Sequence, residues 1–336
     1  MIRQQHQQPL FLLLASFAAA SLSGVVLNDS AGLALSSSTA VTLLTQPGYG
    51  ATGWVEIQEG TSRFRGTGVL LSNNWVLTAG HNWLGDAVTG LTFHHKGVAY
   101  TAQPGSWIQH PAWTADPGVG LGQGSDIGLF QLTTAIPGVA PASLYGGSSE
   151  LGSTVTFLGA GSAGIGSEGP RLNPTPLYYA GTNVIDRVLE FDTGGGLLAF
   201  DFDDGSVQRN SLVGSAVFDV SGIAATLPSD VTLSAQSSST ALSALEATSA
   251  AGDSGAPAFA NFGNGPELVG LVSWGVNPSE PSNLYGSTYG DITYLTRISS
   301  SRDWIMGIIP EPGITAFLFG LTVGLLTMCV RRFRRG

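Results

Sequence analysis

The sequence predicts an all-β domain, on three observations. Hydrophobic residues make up 43% of the 336 and charged residues only 11%, with 47 glycines, a balance that suits short strands joined by turns better than long charged helices. Short apolar runs bounded by Gly, Asn or Pro recur along the chain. No long amphipathic pattern interrupts them before Ser301–Ile309.

Gly53–Ile57, Gly68–Ser72, Trp75–Thr78, Ile127–Leu132, Thr154–Leu158 and Leu268–Trp274 read as strands, and Ser301–Ile309 as a C-terminal helix. Ser234–Ser249, rich in Ser, Ala and Thr, reads as a surface loop or a short weak helix. No internal repeat is visible.

The two ends read differently from the middle. Arg3, an apolar run from Leu10 to Ala20 and small residues after it make residues 1–23 a secretory signal peptide, against the alternative of a buried N-terminal helix. Residues 24–49 then form an N-terminal segment or propeptide. Gly313–Val330 is an uncharged run of 18 residues followed by Arg331, Arg332, Arg334 and Arg335. As a helix it is about 27 Å long, enough to span a bilayer with the arginines inside.

Pro310-Glu311-Pro312 stands just before that run. In order and spacing, residues 310–336 resemble the PEP-CTERM sorting signal of Gram-negative bacteria. The resemblance implies an exosortase-type processing enzyme as partner, transient anchoring in the inner membrane through residues 313–330, and delivery to the cell surface or extracellular matrix. A plain membrane anchor is the alternative.

Between the ends the charge is acidic. Residues 21–312 hold 8 Lys and Arg against 23 Asp and Glu, a net charge of -15, which excludes nucleic acid as a natural partner and keeps the surface soluble. The single cysteine, Cys329, lies in the apolar tail, so no intrachain disulfide is possible and the core is held by packing and backbone pairing.

Three local sequences carry chemistry. Asn74-Trp75-Val76-Leu77-Thr78-Ala79-Gly80-His81 is an apolar strand that delivers a histidine on a small-residue turn. Ser125-Asp126-Ile127-Gly128-Leu129-Phe130-Gln131-Leu132 heads a buried strand with an acid. Gly252-Asp253-Ser254-Gly255-Ala256-Pro257 is a tight turn able to expose a serine. A serine hydroxyl needs an adjacent imidazole to take its proton and a buried carboxylate to orient that imidazole.

Together with Leu268–Gly275, Leu295–Ser299 and Asp303–Ile305, these motifs resemble the chymotrypsin-like serine proteases over residues 50–306, in the family's order of His, Asp, Ser. The resemblance implies two six-stranded antiparallel β-barrels with a short C-terminal helix, polypeptide substrates and no cofactor or metal. It gives His81 the role of general base, Asp126 that of its orienting acid and Ser254 that of nucleophile. Backbone N–H groups of Gly252 and Ser254 become the oxyanion hole, while Ser273, Trp274 and Gly275 line the cleft, Ser273 also supporting Asp126.

The chain departs from that family in several places. Asn82 follows His81 where relatives often have a cysteine. No Ile-Val-Gly-Gly activation sequence precedes Gly53, so either the site forms without a cut or a cut falls between Ser21 and Tyr49, and Asp253 pairs with an N-terminus or an internal group. Thr248, six residues before Ser254, replaces an acidic pocket floor, and the bulk of Thr293 and Tyr294 is expected to narrow the pocket; both favour uncharged side chains at the cleaved position.

The 127 residues between Asp126 and Ser254 include Phe200-Asp201-Phe202-Asp203-Asp204-Gly205, read as a solvated turn in preference to a Ca²⁺ loop. A catalytically silent surface or matrix binding protein on the same fold is the alternative function. An esterase is disfavoured by the absence of a Gly-x-Ser-x-Gly elbow and of helices alternating with strands.

Overall fold

A computed structural model describes residues 25–83, 87–113, 124–171, 177–219, 226–227, 229–238, 240–278 and 286–309. The expected signal peptide, 1–23, and sorting signal, 310–336, lie outside the described residues. Among the described residues no helix is long and apolar enough to cross a membrane.

The fold is mostly β, with a short C-terminal helix, Ile298–Ile308. The first sheet runs, in spatial order, Val98–Thr101, Val88–His95, Thr52–Glu59, Ser62–Leu70, Trp75–Thr78, Gly128–Gln131, Ile108–Gln109. In Thr52–Glu59 the inward Val55 and Ile57 alternate with half-buried Trp54 and Glu56, the period-2 pattern of a strand covering a core on one face. Ala102 bridges Leu132, and Thr133 N–H donates to Thr101 O, so the sheet curls back on itself.

The second sheet runs Tyr179–Val184, Thr154–Gly159, Pro257–Asn261, Pro266–Val276, Ile292–Arg297, Gly196–Asp201, Arg187–Phe191, Val231–Gln236. A ninth strand, Ser143–Leu144, pairs parallel beside Pro266–Val276. This sheet curls back on itself where Asn183 Nδ2, from its first strand, donates to Asp201 O at 2.7 Å. Among the described residues, the expected two six-stranded antiparallel barrels are thus corrected to sheets of seven and nine strands. Three of the four extra strands are the two-residue Ile108–Gln109 and Ser143–Leu144 and the strand Val231–Gln236, which pairs with Arg187–Phe191 and whose last three residues fall in the stretch 234–249 expected as loop or weak helix.

Residues 25–49 pack into the domain. Val26–Leu27 forms a four-stranded sheet with Gly169–Arg171, Ala163–Ile165 and Ala247–Thr248, and Val25, Val26 and Leu27 are fully buried. The helix Gly32–Leu43 follows, its Ser36 Oγ donating to Ala180 O.

The solvated-turn reading of residues 200–205 is overturned for its first two carboxylates. Asp201 is 1% and Asp203 3% exposed, because the long segment after them folds back over the sheet. Arg187, fully buried, organises that return by donating to the carbonyls of Asp186, Leu212, Gly214 and Ala216. A guanidinium carries five donors, and each carbonyl it caps is one fewer buried polar group without a partner.

Candidate active site

The strand Trp75–Thr78 ends in extended Ala79 and a single tight turn, Gly80–Asn82, which carries His81 out of the first sheet. Gly80 lies against Ile127 and Asp126, where a Cβ would crowd the Ile127 backbone. His81 therefore meets Asp126 twice. Its backbone N–H donates to Asp126 Oδ1 at 2.7 Å and its Nδ1 lies 2.6 Å from Asp126 Oδ2. On the far side of the ring, Nε2 lies 2.7 Å from Ser254 Oγ.

Asp126 is 8% exposed and saturated with donors. Besides His81 it accepts from Ser273 Oγ, while its backbone carbonyl accepts from Thr296 Oγ1. Burial alone raises its pKa, but the charge of His81 and these hydrogen bonds outweigh burial and hold it below the usual 3.8. Burial likewise lowers the pKa of His81, and the Asp126 carboxylate outweighs it, leaving the imidazole above 6.5. The pair is thus an ionised carboxylate poised to stabilise an imidazolium. With Nδ1–H committed to Asp126, Nε2 faces the serine as acceptor.

Ser254 sits in a turn that only glycine permits on both sides. Gly252 and Gly255 have φ of 93° and 81°, and a Cβ on Gly255 would strike Thr78 Oγ1 and the Thr67 carbonyl. The N–H groups of Asp253, Gly255 and Ala256 are spent on Ala250 O, Val272 O and Asp253 O. Among the described residues those of Gly252 and Ser254 donate to no protein acceptor, which leaves two donors beside the serine oxygen for a developing oxyanion.

Ser273, Trp274 and Gly275 lie on Pro266–Val276. The pairing with Ile292–Arg297 slips between Val272 and Trp274, so Ser273 is a bulged residue, and its hydroxyl bonds Asp126. On the other side of this strand, pairing with Pro257–Asn261 stops at Leu271. Beyond Val272, that edge can take an added strand.

Thr248 and Thr293 meet at 2.9 Å between hydroxyls, with Ser249 Oγ 3.0 Å from the same Thr293 oxygen. Thr248 is 2% and Thr293 0% exposed, so this buried contact is neutral and polar. Tyr294, the next residue, faces the opposite side of its strand. Its ring stacks on Trp274 with centroids 3.9 Å apart, and its hydroxyl donates to Phe218 O. Of the two residues expected to narrow the pocket, only Thr293 reaches Thr248.

Two residues that the sequence marks only as departures from the family bear on this arrangement. Asn82 donates from Nδ2 to Ser254 O and to Thr78 Oγ1; its position after the histidine was the only signal. Asp253 accepts from the backbone N–H of Val25, Gly161 and Ala250. Burial still pushes its pKa up to about 7, and no cationic side chain pairs with it among the described residues.

A family model described as Trypsin matches residues 46–193. That stretch is under half of the 336 residues and takes in His81 and Asp126 but not Ser254, so the serine stands on the geometry above. No curated protein sequence matches the chain. Among solved structures, HL collagenase is 16% identical, with 76% of this chain and 92% of that one covered and a TM-score of 0.47. Neuropsin, a serine protease expressed in the limbic system of mouse brain, is 19% identical, with 75% and 92% covered and a TM-score of 0.44.

Proposed function

We propose that the protein is an exported serine endopeptidase that hydrolyses peptide bonds through an acyl-enzyme on Ser254. The observation that carries this reading is the unbroken series Asp126 Oδ2, His81 Nδ1, His81 Nε2, Ser254 Oγ, with links of 2.6 and 2.7 Å. Beside it stand the uncommitted N–H groups of Gly252 and Ser254.

In this reading His81 Nε2 takes the Ser254 proton as Oγ attacks the scissile carbonyl carbon, and the carbonyl oxygen becomes an oxyanion facing the two N–H groups. Such a donor is worth about 3 kcal/mol of barrier. Collapse of the tetrahedral intermediate breaks the C–N bond, and the His81 proton passes to the leaving amine. Water, deprotonated by His81, then releases the acyl group. The free edge beyond Val272 holds the acyl-side substrate backbone, and the filled Thr248–Thr293 floor selects small uncharged side chains at the cleaved position.

Maturation by cleavage before Val25 completes the reading. Val25 N lies 3.2 Å from Asp253 Oδ2, and this β-branched residue adopts φ of 74°, a costly conformation within a continuous chain. A free N-terminus removes that constraint and turns the nitrogen into an ammonium, the cation that buried Asp253 otherwise lacks. In this reading residues 1–23 are an export signal and 310–336 an exosortase-processed tail, and the mature enzyme acts at the cell surface or matrix.

A fluorophosphonate probe tests the activity. The processed protein should be labelled at Ser254 and the Ser254→Ala variant should not; no labelling of the processed native protein would favour the silent binding protein instead.

A further inference from the structure

We propose that Asn82 is a positioning residue for this site: its carboxamide locks the Ser254 turn to the first sheet and so aims the serine and the two N–H donors. The inference rests on the peptidase reading. Asn82 is 8% exposed, and its side chain leaves the Gly80–Asn82 turn toward Thr78 and the Ser254 carbonyl.

Nδ2 donates to Thr78 Oγ1 at 2.7 Å and to Ser254 O at 3.1 Å. Thr78 Oγ1 spends its only proton on Thr67 O at 2.6 Å. Thr67 closes the circuit, its N–H donating to Ser254 O at 2.8 Å and its Oγ1 to Gly252 O at 3.2 Å. The peptide groups on either side of the Asp253–Ser254 bond are thus held by the first sheet, the sheet that carries His81. Rotation of either would move the Ser254 Oγ and N–H away from the arrangement that proton transfer and oxyanion binding need.

Both partners of the amide are acceptors toward it. Ser254 O has no proton to give, and Thr78 has committed its own, so only the NH₂ end of Asn82 fits this position. Gly66 makes the room: a Cβ there would press on Asn82 Nδ2, Cγ and Oδ1. The chemistry needs a neutral two-proton donor at 82, and an acid of the same shape should be worse than a truncation.

The experiment compares Asn82→Ala, Asn82→Asp and Thr78→Val in the processed protein, each first checked for folding by its melting transition. Readouts are the fluorophosphonate labelling rate and kcat and KM for a small-residue peptide amide. The proposal expects Asn82→Ala to lower kcat and labelling about tenfold with KM within twofold. Asn82→Asp at pH 8 should lose more than Asn82→Ala, and Thr78→Val added to Asn82→Ala should cost little more, because both break one circuit.

Wild-type kcat in folded Asn82→Ala, or Asn82→Asp no worse than Asn82→Ala, would overturn it. If wild type itself is never labelled, the peptidase reading fails, and the clamp is judged without activity. The low-field Nδ1 proton resonance of His81 and the amide resonances of Gly252 and Ser254 should then shift in Asn82→Ala; unchanged spectra would sink the clamp on its own.

Discussion

The backbone nitrogen of Val25 lies 3.2 Å from Asp253 Oδ2, joining two residues 228 positions apart directly beside Ser254. An α-ammonium at Val25 would place a full positive charge on a carboxylate that burial pushes up to about 7. The partners shift each other in opposite senses: the carboxylate falls, and the amine rises above its usual value near 8. In the proposed mature form the active arrangement needs the protonated amine, so activity should decline as pH rises through that raised pKa. N-terminal sequencing of the active form should read Val25-Val26-Leu27. Asp253→Asn should lower kcat/KM by about tenfold or more, the cost of breaking a buried pair; full activity in a form starting elsewhere would refute the pairing.

The acid side of the profile belongs to His81. As the proposed general base it must be neutral, and Asp126 holds its pKa above 6.5. Activity should therefore rise with pH through a midpoint above 6.5. Asp126→Asn removes the opposing charge, leaves burial to lower the imidazole pKa, and should cut kcat of the proposed peptidase by about 10⁴-fold, the scale of that change in a Ser-His-Asp triad. A pH profile of kcat/KM for wild type checks the first point; a midpoint at or below 6.5 contradicts it.

His81, Asp126 and Ser254 were legible because each stands in a short run whose local structure, apolar strand or glycine turn, is dictated by its neighbours. What bonds across the sheets was not. Val25-Val26-Leu27-Asn28 lacks the activation pattern sought, and its value lies in meeting Asp253. Gly196–Asp201 is buried at every position, so it shows no alternation and was passed over as a strand. Asp201 and Asp203 looked like a solvated turn since carboxylates seldom go inside; what covers them comes from residues far along the chain. The facing of Tyr294 away from Thr293 follows from strand periodicity once Thr293 is assigned inward.

The Thr248–Thr293 contact makes a prediction about specificity. If this contact closes the proposed pocket, Thr293→Gly removes the side chain packed on Thr248 while leaving Ser254 and His81 untouched. The ratio of kcat/KM for a phenylalanine over an alanine at the cleaved position should rise by roughly tenfold or more, the scale on which a pocket reads a few carbons. A peptide library read before and after the substitution measures it. An unchanged profile would mean that another residue bounds the pocket.

Asp203 sets the last prediction. Among the described residues its Oδ1 is buried without a partner, and burial, aided by the charges of Asp201, Glu246, Asp186 and Asp204, pushes its pKa up to about 8 from 3.8. Between those values the folded state holds a proton that the unfolded state has released, so this group's contribution to stability falls as pH rises through the window. Asn at this position keeps the shape, never ionises, and offers N–H donors to the neighbouring carboxylates. Asp203→Asn should therefore raise Tm at pH 8 by roughly 5 °C, with the gain shrinking toward pH 4. Calorimetry across that range decides it: a variant that melts below wild type at pH 8, or whose offset does not depend on pH, would show that this carboxylate is ionised and stabilised in the folded protein.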